Sequence, residues 1–146
     1  MKWLCCLVFV ALAGCGRNSQ PAGDALEKEF TEKMRGAALV GRSTTWNKEE
    51  LSGEERYQID KVSKIGNDLW MLQVRMRLGN REIPMPVPVA IRWAGDTPMI
   101  QLTNVAIPGT GTFTARVLLY QDQYSGVWSG GGHGGQLFGR IERPRP

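Results

Sequence analysis

The 146-residue sequence predicts an all-β fold, a small antiparallel barrel of about eight strands led by a short helix, on three observations. From Trp70 to Trp93 apolar and polar side chains alternate with a period of two, as a sheet with one buried and one wet face requires. Turn-forming residues cut the rest of the chain into strand-length pieces. No stretch alternates strand with helix, which argues against a parallel α/β sheet. A two-sheet β-sandwich is the alternative arrangement for the same strands.

The chain opens with Met1, Lys2 and an apolar run from Trp3 to Ala13, within the length of a secretory core and well short of the about 20 residues that cross a bilayer as a helix. It closes on Leu12, Ala13, Gly14 and Cys15, which resembles the lipobox of bacterial lipoproteins. The small side chains of Ala13 and Gly14 let a peptidase hold the backbone extended, and the Cys15 thiol takes a diacylglyceryl group as a thioether. The resemblance implies removal of residues 1–14 as a signal peptide, palmitate-type acylation of Cys15 and a membrane lipid as the first partner. Two acyl chains anchor stably at about 0.8 kcal/mol per buried methylene. Gly16, rather than Asp, follows the cysteine, which implies the outer membrane, facing the periplasm, within the cell envelope. With Cys5 and Cys6 removed and Cys15 acylated, no internal disulfide can form.

Residues 15–23, polar and holding Pro21 and two glycines, suit a flexible tether, and 24–146 form one β domain. Asp24 is placed to cap a short helix whose Leu26, Phe30 and Met34 share a stripe that packs on the domain. Strands are expected at Leu39 to Trp46, Arg56 to Ile65, Trp70 to Leu78, Ile83 to Trp93, Met99 to Ile107, Thr112 to Tyr120, Gly126 to Ser129 and Gln136 to Glu142. Gly79 and Asn80 supply a two-residue hairpin turn.

The fourth strand carries Pro84, Pro86 and Pro88, each lacking a donor. At a spacing of two the missing N–H groups all fall along one edge, while Met85, Val87 and Val89 keep theirs for pairing with the strand ending at Leu78. The expectation is an edge strand or the seam of an incompletely closed barrel, with a polyproline II segment as the alternative. Length and a helix leading into the first strand resemble the lipocalin or calycin type of barrel. That resemblance is architectural, since Gly41 is followed by Arg42 and Ser43 where lipocalins carry Gly-x-Trp.

Chemistry-bearing residues are few. His133 is the single imidazole, so no metal site or acid–base pair can be assembled around it from neighbouring spacing, and a loop histidine is expected. Ser125 lies in Tyr-Ser-Gly, not in a nucleophile elbow. Nine of the 18 glycines lie between Gly109 and Gly139, which reads as a wide hairpin loop and strand bends, with an anion nest as the alternative. Glu49, Glu50, Glu54 and Glu55 read as the solvated tip of a hairpin rather than a calcium loop.

These residues predict no catalytic group, no metal and no cofactor, hence no enzyme. Trp70, Trp93 and Trp128, with His133, are the candidate ligand contacts if the barrel is hollow, because apolar walls with a few polar groups are what ligand sites use. The expected function is a lipid-anchored envelope protein that binds a small apolar or amphipathic ligand. The alternative is a structural or assembly factor that meets an envelope protein partner through its loops or its Gly-rich hairpin. Export argues against a nucleic-acid partner despite a formal net charge of +4. An interior volume on the order of 300 Å³ or more favours the ligand binder.

Overall fold

The computed structural model describes residues 20–78 and 80–144. The leader, Cys15 and Gly79 lie outside them. Helix α1 (Gln20–Met34) precedes eight strands: β1 (Ala38–Ser43), β2 (Glu55–Lys64), β3 (Leu69–Leu78), β4 (Arg81–Ala94), β5 (Thr97–Ile107), β6 (Gly111–Tyr120), β7 (Gln123–Gly130) and β8 (His133–Glu142). Each strand pairs antiparallel with the next, and β8 returns to β1 from Ala38↔Glu142 to Ser43↔Leu137. The sheet is a closed up-and-down barrel, and the sandwich arrangement is set aside.

Alternation places the core as the sequence requires. Trp70, Leu72 and Val74 of β3 and Met85, Val87, Val89 and Ile91 of β4 are buried, their neighbours in sequence less so. Ladder extent differs from expectation chiefly in the glycine-rich third. The expected loop over 130–135 contracts to the two residues Gly131 and Gly132, bracketed by Gly130↔His133, and β7 reaches from Gln123 to Gly130. Both turn glycines have positive φ, 59° and 76°, the conformation a two-residue hairpin needs to match the strand twist. His133 is therefore the first residue of β8 and not a loop residue. The first strand is shorter than expected, ending at Ser43, although Thr44 N and Trp46 N still donate to Gln136 O and Gly134 O of β8.

The proline strand is neither a free edge nor a polyproline segment, since it pairs on both sides in a closed barrel, but its two ladders are unequal. Ile91 N donates to Asp68 O, on the β3 side, so the odd-numbered amides of β4 face β3 and the proline nitrogens face β5. The β3–β4 ladder is accordingly complete from Leu69↔Ala90 to Leu78↔Arg81, whereas β4 meets β5 only from Ala90↔Gln101 to Ala94↔Thr97. Pairing starts where the prolines stop.

Helix α1 starts at Gln20 rather than at Asp24; Pro21 in its first turn costs nothing, because that amide has no partner in a helix. Its stripe closes one end of the barrel. Phe30 and Met34 are buried, and the Phe30 ring stands edge-on to Trp70 at 5.4 Å and to Trp93 at 6.3 Å. Gly36 N donates to Ile59 O at 2.7 Å and Ile59 N to Ala37 O at 2.8 Å, which fastens the helix exit to β2. Lys64 Nζ meets both oxygens of Glu27 at 2.7 Å, and Lys33 Nζ donates to Gln121 O at the β6–β7 turn.

Candidate functional site: a half-hollow barrel

Above the helix-closed end the interior is not filled. A cavity of about 490 Å³ occupies the other half of the barrel, within the 300–1,000 Å³ typical of small-molecule sites. Its floor is formed by Ile59, Leu72, Val89, Ile100 and Val117, and its walls rise past Met76, Leu102, Phe113 and Leu137. The mouth lies at the β1–β2 loop and the β5–β6 turn, where Thr45, Ser52 and Thr110 supply hydroxyls.

One polar cluster interrupts the apolar wall. Glu55, Tyr57 and Ile59 are alternate residues of β2 and share its inward face. Tyr57 Oη donates to Glu55 Oε2 at 2.6 Å, and Ser43 Oγ, on neighbouring β1, donates to Glu55 Oε1 at 2.7 Å. Ser43 N in turn donates to Ser52 Oγ at 2.8 Å, which pins the loop over this corner. No lysine or arginine pairs with Glu55 among the described residues.

Tyr124 enters the same space from β7. It is 4% exposed, lines the cavity, and its hydroxyl finds no protein partner among the described residues without being sealed from the cavity. Its seat is made by two glycines. A Cβ on Gly41 would stand 2.6 Å from Tyr124 Oη and 2.0 Å from Phe138 O, and one on Gly139 would stand 2.8 Å from Tyr124 Cε1. The paired glycines of β1 and β8 thus leave the room the phenol ring takes.

Burial first, and the Glu55 charge second, push both phenols above the ordinary tyrosine value: Tyr124 up to about 12, with Arg140 opposing the shift, and Tyr57 further. Both stay protonated at neutral pH. Tyr57 therefore keeps the proton it gives to Glu55.

Of the four ligand contacts expected from the sequence, Trp128 lies in the cavity wall, its indole N–H donating to Thr44 O at 3.2 Å. Trp70 is buried beneath the cavity against Phe30, and Trp93 is half-buried beside the same ring. His133 is exposed at the start of β8, and neither it, Trp70 nor Trp93 lines the cavity. The structure does not bring the four together. Cys15 lies outside the described residues.

Glu55 and Tyr57 are the site residues that the sequence pattern does not single out. A second strand starting at Arg56 leaves Glu55 in a loop with three other glutamates, where it reads as solvated. Extending the inward register one step back from Tyr57 and Ile59 moves it into the interior.

No protein-family model matches the chain, and neither does any curated protein or solved structure. What the site can do rests on its geometry alone.

Proposed function

We propose that this is a lipid-anchored protein of the bacterial cell envelope, held by an acylated Cys15, whose barrel takes up a small apolar or amphipathic molecule without transforming it. The observation that carries the reading is the cavity of about 490 Å³, whose wall is aliphatic and aromatic apart from one corner and the rim. The barrel gives such a molecule a dry chamber, and the anchor keeps that chamber beside the membrane.

Pyrene, which is apolar and fluorescent, tests the chamber. A hollow binder gains RT ln(1 + [L]/Kd), about 2.7 kcal/mol at a hundredfold excess over Kd, and its melting temperature climbs with pyrene concentration. An unmoved melting temperature across pyrene and a panel of lipids sinks the ligand reading. The anchor is tested separately by metabolic labelling with a palmitate analogue. Label that appears on the native chain and is lost in Cys15→Ser supports it; an unlabelled native chain ends it.

A second reading, an envelope assembly factor, draws on the outer surface of the barrel. Leu118 and Phe138 are 38% and 40% exposed in one cross-strand row, separated by Ser125, and Val127 and Tyr120 are exposed nearby. A protein without pyrene binding that loses an envelope partner on Phe138→Ser favours that reading.

A further inference from the structure

We propose that the cavity selects molecules whose polar end is a cationic hydrogen-bond donor, an alkylammonium in its simplest form, and rejects fatty-acid anions. This rests on the reading of the barrel as a ligand binder and adds which chemistry its polar corner accepts.

The argument is an inventory of protons and lone pairs. Glu55 offers about four lone-pair positions, and Ser43 Oγ and Tyr57 Oη occupy one on each oxygen. Because both hydroxyl protons are committed to Glu55, Ser43 and Tyr57 present only lone pairs to the cavity. Tyr124 Oη, which stands over Gly41, the β1 partner of Glu55, adds further lone pairs at the same corner; its residue is 96% buried and the hydroxyl has no protein partner among the described residues. Among the described residues the corner is therefore rich in acceptors, and the Tyr124 proton is its one uncommitted donor.

An ammonium group brings three donors and no acceptor. It can meet Glu55, Tyr57 Oη and Tyr124 Oη together, and it supplies the positive charge that no lysine or arginine of the described residues supplies to Glu55. A carboxylate head finds one donor and faces Glu55 in an apolar chamber, where like charges repel strongly. An alcohol is intermediate, with one proton to give and no charge. The apolar remainder of any of them runs down toward Leu72, Val89, Ile100 and Val117.

Long-range electrostatics work in the opposite direction. The formal net charge of +4 favours anions in the encounter, so a preference for the amine cannot come from the overall field.

The experiment is displacement of pyrene by decylamine, decanol and decanoate, which share a chain and differ in the head group, on the native protein and on Glu55→Gln. The expected order on the native protein is decylamine about tenfold tighter than decanol, with decanoate weakest. In Glu55→Gln the ratio of decylamine to decanol affinity collapses toward one; as a ratio within one protein it does not depend on how much of the variant is folded. Pyrene binding with equal affinities for the three, or with decanoate tightest, overturns the selection and leaves the ligand-binding reading standing. An amine preference that survives in Glu55→Gln also overturns it, since the recognition then lies elsewhere. Failure of pyrene and of all three amphiphiles to bind removes the chamber itself, and the selection with it.

Discussion

The two ends of the barrel are built from the same alternating strands yet reach opposite outcomes. At the lower end α1 lays Phe30 and Met34 across the opening, and Trp70, Trp93, Ile91 and Leu119 close around them. At the upper end no element of the described residues crosses. The β1–β2 loop and short turns ring a cavity whose wall is apolar except at Glu55 and its hydroxyl partners. An eight-stranded barrel has an interior just wide enough for side chains to fill or for one small ligand to occupy. Here a single amphipathic helix decides which of these each half becomes: packed core where the helix docks, and open space at the other end.

The largest expected difference between the ends comes from truncation. Met34, with no exposure, is surrounded on all sides, so Met34→Ala should cost about 3–5 kcal/mol in denaturant unfolding, through lost transfer energy and the void left behind. Leu137 borders space that is already open, and Leu137→Ala should cost about 1 kcal/mol, because its side chain has fewer neighbours to lose. Equal losses would mean that the upper half is as tightly packed as the lower and that the cavity is closed up in solution.

Enlargement sharpens the same contrast with the opposite sign of volume change. Ala37, fully enclosed where the helix leaves for β1, has no room for a larger side chain, so Ala37→Leu should cost about 1–3 kcal/mol by overpacking. Ala115 faces the cavity from β6, and Ala115→Leu should leave stability within about 0.5 kcal/mol of native while weakening pyrene binding. The pair is read by denaturant midpoint and by fluorescence titration. A severe loss from Ala115→Leu would show that the chamber is smaller than its outline.

Much of this plan is legible in the amino-acid sequence, and the places where it is not have physical reasons. The alternation from Trp70 to Trp93 is a strong signal because burying one face of a sheet enforces it over many residues. The prolines at 84, 86 and 88 state even which edge of β4 must stay unpaired, and the β4–β5 ladder begins at Ala90 as that predicts. Leu26, Phe30 and Met34 mark the docking face of the helix. What a linear pattern does not carry is closure. Whether an inward tryptophan faces ligand space or a helix depends on which end of the barrel α1 covers, so Trp70 and Trp93 read the same as Trp128 before the structure separates them. Glycine misleads for a related reason. In β8 it signals a loop by composition at Gly134 and Gly135, whereas both lie in the ladder opposite Ser129 and Trp128, where a Cβ would meet the Trp46 ring at 2.7 Å or Thr44 O at 2.0 Å.

The smallest of the expected effects concerns charge, and it separates the ends by what can titrate inside them. Among the described residues the lower core of Phe30, Met34, Ala37 and Trp70 holds no ionisable group, while the upper chamber holds two phenols whose ionisation is disfavoured by burial and by Glu55. In the unfolded chain tyrosine loses its proton near pH 10. In the folded chain Tyr124 holds its proton up to about 12, so between those values the native state binds more protons than the unfolded state and stability falls as pH rises. One pH unit into that window the contribution of Tyr124 is on the order of 1 kcal/mol. Tyr124→Phe removes it, and the stability of that variant should decline less steeply than native between pH 10 and about 12 while matching its slope at neutral pH. Parallel declines for the two proteins would mean that water and counterions reach the Tyr124 hydroxyl freely, and the upper chamber would then be too wet to discriminate head groups by their protons.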